Sequence, residues 1–158
     1  MTLPISKIVA AIDLDDDLGK AILHTAADLS NRFSAELHVI DVWPGLTNFI
    51  LATPGLPEGD QRERYRLRKA KRLQQLEQQL KGLKTPSVAT VPIGHAGDSI
   101  LEYLKRANPD LLVIGSHQKT LWQRLSMGSV SSKAIHRANC AVFIVTPDFA
   151  KALGHLDA

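Results

Sequence analysis

Short, nearly unbroken apolar runs limit this chain more than anything else in it. They are too short for core helices and too continuous for strands that show one face to water. Lys7–Ile12 (KIVAAI), Asp110–Gly115 (DLLVIG) and Ala141–Val145 (AVFIV) read as strands buried on both faces. Ala35–Val42 (AELHVIDV) has the β-branched and apolar content of another strand, and Val88–Ile93 adds a further short run. Between these runs the apolar spacing lengthens to that of a helix. Leu18, Ala21, Ile22, Thr25, Ala26, Leu29 and Phe33 form one stripe. Leu73, Leu76, Leu80 and Leu83 form a second, which Leu67 and Ala70 extend backward, in a helix expected over Gln61–Leu83. Ile100, Leu101, Leu104 and Ala107 mark a short helix with Asp98 as its expected N-cap and Pro109 as its stop, and Gly128–Ala138 carries Val130, Ala134, Ile135 and Ala138 on one face. Strand and helix alternate throughout, so the expected architecture is α/β, an open five-stranded parallel sheet with helices on both faces.

A chain of 158 residues can bury one core without disulfides or a structural metal, and no boundary divides it. The expected domain covers 1–158, with its core at about 4–147 and a short tail at 148–158. Composition, 44% apolar and 22% charged, is that of an ordinary soluble domain, and no window approaches the roughly 18 unbroken apolar residues of a membrane span. The first apolar stretch runs directly into Asp13, Asp15, Asp16 and Asp17, which does not suit a signal peptide, so a cytoplasmic location is expected. Cys140, the only cysteine, can form neither an internal disulfide nor a cysteine zinc site, and a buried inert thiol is its expected state.

The net charge of +3 is too mild to argue for nucleic acid. Arg62, Arg64, Arg66, Arg68, Lys69, Lys71 and Arg72 do crowd one segment, but the same helix carries the leucine stripe, so a solvated basic outer face is expected. Aromatic residues are too sparse for a base-stacking platform.

In an open parallel sheet, ligands bind beyond the carboxyl ends of the strands, where neighbouring connections diverge. That directs attention to Asp13, Val42 and Gly115. The stretch Gly115–Ser132 (GSHQKTLWQRLSMGSVSS) joins a buried strand to a helix whose first turn holds Gly128, Ser129 and Ser131. Free N–H groups and the helix dipole there suit a phosphate, with Lys119 and Arg124 available as charges, although Gly128 and Ser129 would equally well start a helix that binds nothing. His117 lies in this loop and reads either as a phosphate contact or as a solvent-facing side chain, while the other five histidines lack metal-ligand spacing. The aspartates after the first strand could hold a divalent cation or cap the following helix, and capping is expected. No Walker lysine motif, nucleophile elbow or acid–base pair supports catalysis.

The same residues resemble the universal stress protein pattern: a strand-end glycine, a second glycine after a two-residue gap, nine residues, then Gly-Ser or Gly-Thr. Gly115, Gly128 and Ser129 occupy matching positions, and Gln118 replaces the second glycine. Asp13, Gly94–Ile100 (GHAGDSI) and Asn139–Val145 (NCAVFIV) extend the resemblance over nearly the whole chain. It implies a Rossmann-like nucleotide-binding fold with strand order 3-2-1-4-5. It implies that Ala11, Ile12, Asp13 and Val42 contact adenosine, that Ile114 and Gly115 line the site beside His117 and Gln118, and that Gly128, Ser129, Val130 and Ser131 hold the phosphates. The implied ligand is ATP, or ADP or AMP, with Mg²⁺ on the phosphates, and a glutamine amide at 118 could itself bond a phosphate. The implied protein is a non-enzymatic regulator of a bacterial stress response, in which slow ATP hydrolysis would be incidental. It would form a homodimer through the edge strand Ala141–Val145, act on a protein partner the sequence does not identify, and bind neither nucleic acid nor membrane. A nucleotide-free dimer acting only through protein contacts is the alternative.

Overall fold

The computed structural model describes residues 3–46, 49, 55, 57–116 and 136–155. The apolar runs become β1 (Lys7–Ile12), β2 (Glu36–Asp41), β3 (Ser87–Thr90), β4 (Leu111–Gly115) and β5 (Ala141–Val145). All pairings are parallel, in the order β3-β2-β1-β4-β5. The helices between them are α1 (Leu18–Phe33), α2 (Glu58–Lys81) and α3 (Ala96–Ala107), and α4 (Pro147–Ala152) follows β5.

Side-chain alternation along the strands divides the core in two. Ile8, Ala10, Ile12, Leu37, Val39 and Val113 meet α1, α2 and α4 on one face, while Val9, Ala11, Ile40, Leu112 and Ile114 meet Ile100 and Leu104 of α3 on the other. Ala138 and Cys140, leading into β5, pack on the α3 face. The connections therefore change face where β1 and β4 lie side by side, and the carboxyl ends of these two strands mark the reversal.

Several boundaries differ from expectation for local reasons. β3 stops at Thr90 because Pro92 has no N–H to donate, and the Pro92 carbonyl accepts instead from the Trp43 N–H at 2.7 Å. Ile93 keeps only an isolated bridge to Trp43. α2 begins at Glu58, three residues early, with Pro57 just before it, where its fixed φ suits a helix entry. Only the second half of α2 docks on the sheet: Leu76 and Leu80 are buried, and full burial of such a side chain contributes about 1.5–3 kcal/mol. The backward extension of the stripe fails, since Leu67 is 60% exposed and Ala70 is exposed as well. α3 begins one turn before the expected Asp98, with His95 at the N-cap and Asp98 inside the first turn. Of the helix expected at Gly128–Ala138, His136 and Arg137 are helical and residues 128–135 lie outside the described part. The segment after β5 forms α4, where the Thr146 hydroxyl accepts from the Phe149 N–H and Ala150 is fully buried.

A carboxylate ties the amino ends of β1 and β4 together. Asp110 accepts hydrogen bonds from the Ser6 N–H at 2.8 Å, the Ser6 hydroxyl at 2.9 Å and the Lys7 N–H at 3.0 Å. The Ser6 and Lys7 N–H groups and the Ser6 hydroxyl hold this carboxyl below its ordinary value of 3.8. A depressed folded-state pKa supports the fold above the unfolded value and ceases to do so as pH falls through the folded value. Asp110→Ala should therefore lower the thermal midpoint at pH 7, and the gap from the unaltered chain should shrink as melting is repeated below about pH 4.

Candidate functional site

Parallel register sets Ile12 opposite Asp41, so the chain leaves β1 at Asp13 beside the buried end of β2. Asp41 is an acid at the end of an otherwise apolar strand, and its side chain is 2% exposed. Arg72, on the docked half of α2, reaches across to it and is itself 11% exposed. Its Nε and Nη2 both donate to Asp41, the second at 3.2 Å. Nη2 also donates to Asp13 Oδ1 at 2.9 Å, and Nη1 donates to Asp15 Oδ2 at 2.6 Å. The planar guanidinium fork serves three carboxylates at once, which a lysine ammonium could not do in the same plane.

Burial works against both charges of the central pair. For Asp41 it dominates over the opposing Arg72 guanidinium, and with help from the Asp13 and Asp15 carboxylates it leaves the carboxyl above its ordinary value. For Arg72, burial is outweighed by the hydrogen bonds and charges of Asp41 and Asp15, so the guanidinium holds its proton more firmly than a free one. The Trp43 ring lies 5.9 Å from the Arg72 guanidinium carbon, and Arg68 sits 5.8 Å from the Phe49 ring centre. Tyr65 joins both rings and donates to the Pro44 carbonyl at 3.1 Å, which fastens the segment after β2 against α2.

Two openings meet at Asp13 and Asp15. A cleft of about 280 Å³ is lined by Asp13, Asp15, Asp41–Pro44, Arg72 and Gly94–Ala96. A groove of about 690 Å³ follows residues 12–20 toward Gln79 on α2 and to Pro147, Lys151, Gly154 and His155 around α4. Gly94 bends the chain at the first opening with φ of 143°, and an added Cβ would come within 2.8 Å of the Ser99 hydroxyl oxygen. At the end of β4, a Cβ on Gly115 would come within 2.7 Å of Leu18 Cδ2 and 2.9 Å of Ile22 Cδ1, so glycine lets α1 lie against the strand end.

The family model for universal stress proteins matches residues 4–146. Universal stress protein A homolog 2 of Coxiella burnetii is 31% identical over 140 residues, which cover 88% of this chain and 93% of that one. The chain belongs to the universal stress protein family. Solved members share the fold. An Arabidopsis thaliana family protein with AMP bound gives a TM-score of 0.58 at 19% identity, covering 89% of this chain and 91% of its own. The Archaeoglobus fulgidus universal stress protein in complex with dAMP gives 0.59 at 19% identity, covering 89% and 98%.

The family's expected positions distribute unevenly. Asp13 lines both openings, Ile12 the groove and Val42 the cleft. Ala11 and Ile114 are buried together in the core beneath α3, and Gly115 sits at the end of β4 against α1. His117, Gln118, Gly128, Ser129, Val130 and Ser131 lie outside the described residues. Two expectations need correction. Arg72 is not part of a solvated basic face but is buried among carboxylates. The aspartate cluster does not simply cap α1, because Asp13 and Asp15 bond Arg72 and only Asp16 accepts a helix-start N–H, that of Leu18 at 2.8 Å. Among the described residues no group of three or more His, Cys, Asp or Glu is arranged to hold a metal ion.

Arg72, Asp41 and Trp43 were not expected at the site, and Asp15 was expected only as one of the aspartates that cap the helix or hold a cation. A signal for Arg72 did exist. It precedes Leu76, Leu80 and Leu83 by four, eight and eleven residues, which puts it in phase with the docked stripe, a phase that Lys69 shares.

Removing one partner of a buried ion pair leaves the other uncompensated, at a typical cost of about 3–5 kcal/mol. Arg72→Ala should destabilise the fold by about 3 kcal/mol in urea denaturation. Combining Arg72→Met with Asp41→Asn should recover part of that loss by removing both charges.

Proposed function

We propose that this chain binds an adenine nucleotide, ATP, ADP or AMP, at the carboxyl ends of β1, β2 and β4 and acts as a homodimeric regulator in the cytoplasmic stress response of a bacterium. The observation that carries this reading is the reversal between β1 and β4, with Asp13 and Gly115 at adjoining strand ends, in a chain whose family includes folds solved with AMP, dAMP and cAMP. Ala11, Ile12, Asp13 and Val42 serve the adenosine, and Ile114, Gly115, His117 and Gln118 line the site. Gly128, Ser129, Val130 and Ser131 hold the phosphates. Asp13 and Asp15, carboxylates at both openings, already bond Arg72, so a Mg²⁺ arriving with the phosphates would rely on phosphate oxygens and water. The nucleotide acts as a signal, through its different affinity for two conformations, and not as a fuel.

Titration calorimetry on nucleotide-stripped protein should show about one ATP or AMP bound per chain, and Gly128→Glu should abolish binding. If the unaltered chain binds neither nucleotide at millimolar concentration, the reading fails. A dimer working only through protein contacts then replaces it, a reading favoured by Gln118 at the position of the pattern's second glycine.

The dimer is assigned to β5, an edge strand of the sheet with Ile144 42% exposed. Sedimentation should give the mass of two chains for the unaltered protein and of one chain for Ile144→Lys, whose charge blocks pairing of strand edges.

A further inference from the structure

We propose that Arg72 is a positioning residue that fixes Asp13 as the acceptor for a ribose hydroxyl, and that it thereby makes the site prefer ribonucleotides to deoxyribonucleotides. This rests on the nucleotide reading above and names the part of the ligand that the Arg72 cluster recognises.

The two hydrogen bonds on the Asp13 carboxylate fall on the same oxygen. Arg72 Nη2 and the Asp15 N–H both donate to Oδ1, each at 2.9 Å. Among the described residues no donor reaches Oδ2. The side chain is 13% exposed and lines both openings, so a ligand in either opening lies beside a carboxylate whose orientation the two bonds to Oδ1 fix.

Charge decides which part of a nucleotide belongs there. Asp13, Asp15 and Asp41 set against Arg72 leave two negative charges at the junction of the openings, which repel a phosphate. The neutral sugar can approach, and its hydroxyls are the donors an ionised carboxylate requires. Oδ2 keeps two lone pairs, as Oδ1 does, so it can accept from one ribose hydroxyl or from both, and an analogue lacking a hydroxyl that it accepts from leaves a largely buried acceptor short of a partner.

Arg72 controls this through geometry. The fork is anchored on Asp41 by two donors, which leaves Nη2 pointing at Asp13 from a rigid base, with the Trp43 ring alongside. A lysine keeps the charge but cannot anchor on Asp41 and reach Asp13 in one plane.

The test measures binding of AMP, 2′-deoxy-AMP and 3′-deoxy-AMP by calorimetry to the full chain, to Arg72→Gln and to Arg72→Lys, with circular dichroism to confirm folding. The unaltered chain should bind AMP about tenfold more tightly than at least one deoxy analogue. Arg72→Gln should bring that ratio close to one, and Arg72→Lys should reduce it. A purely structural role would weaken all three ligands together and leave the ratio unchanged, so an unchanged ratio in both variants overturns the inference. Equal affinity of the unaltered chain for all three ligands overturns it too, while leaving the nucleotide reading intact. Absence of binding by the unaltered chain removes the nucleotide reading and this inference with it. Should Arg72→Gln fail to fold, Arg72→Lys, which keeps a positive charge beside Asp41, decides the matter.

Discussion

A parallel sheet cannot leave either face in water, and most of this molecule follows from that constraint. Each return from one strand's carboxyl end to the next strand's amino end must run over a face, and the helices that make the return supply the cover. With α1 and α2 on one face and α3 on the other, the connections must change sides once, beside β1. The change opens a crevice at the carboxyl ends of β1 and β4. Backbone and side-chain polar groups collect there because the rest of the sheet has no place for them.

The Arg72 cluster borders that crevice at an energetic cost. Desolvating Asp41 and the guanidinium is unfavourable, and an apolar pair of similar volume would serve stability as well or better. The ion cluster therefore makes more sense as a device for holding carboxylates in place than as a source of stability. The aromatic contacts of Trp43, Phe49 and Tyr65 extend the same device to the chain that follows β2, so the docking of α2 and the shape of the cleft are linked.

The alternation of strand and helix was legible because burial in a parallel sheet writes itself as unbroken apolar runs, but the strand order was implied by the family resemblance. Ala141–Val145, expected to be buried on both faces, is an edge strand with Ala141 exposed and Ile144 42% exposed. The errors fell where a backbone detail outranked composition, as at Pro92, which ends β3, and at His95, which takes the cap expected of Asp98. The site was legible only in part. Asp13 and Val42, which line the openings, were marked by their places at strand ends, whereas Gly115, marked in the same way, lines neither opening and lies against α1. Arg72 was obscured because it stands in a run of cations, and helical phase does not single it out, since Lys69 is equally in step with the leucine stripe. What distinguishes it is the buried Asp41 across from it, a contact that only the assembled sheet creates.

The hydrogen bond from Ser6 to Asp110 joins residues 104 positions apart. In folding, β1 can find β2 through the nearby α1 hairpin-like return, but it can find β4 only after most of the chain between them has been drawn in, so this pairing bears the largest loop-closure entropy of the β1 contacts. The junction of β1 and β4 exists only once the whole span between them has been folded in. A ligand seated there would be bound by the completed fold and not by its earlier, locally paired forms, and its occupancy would report that the whole sheet has closed.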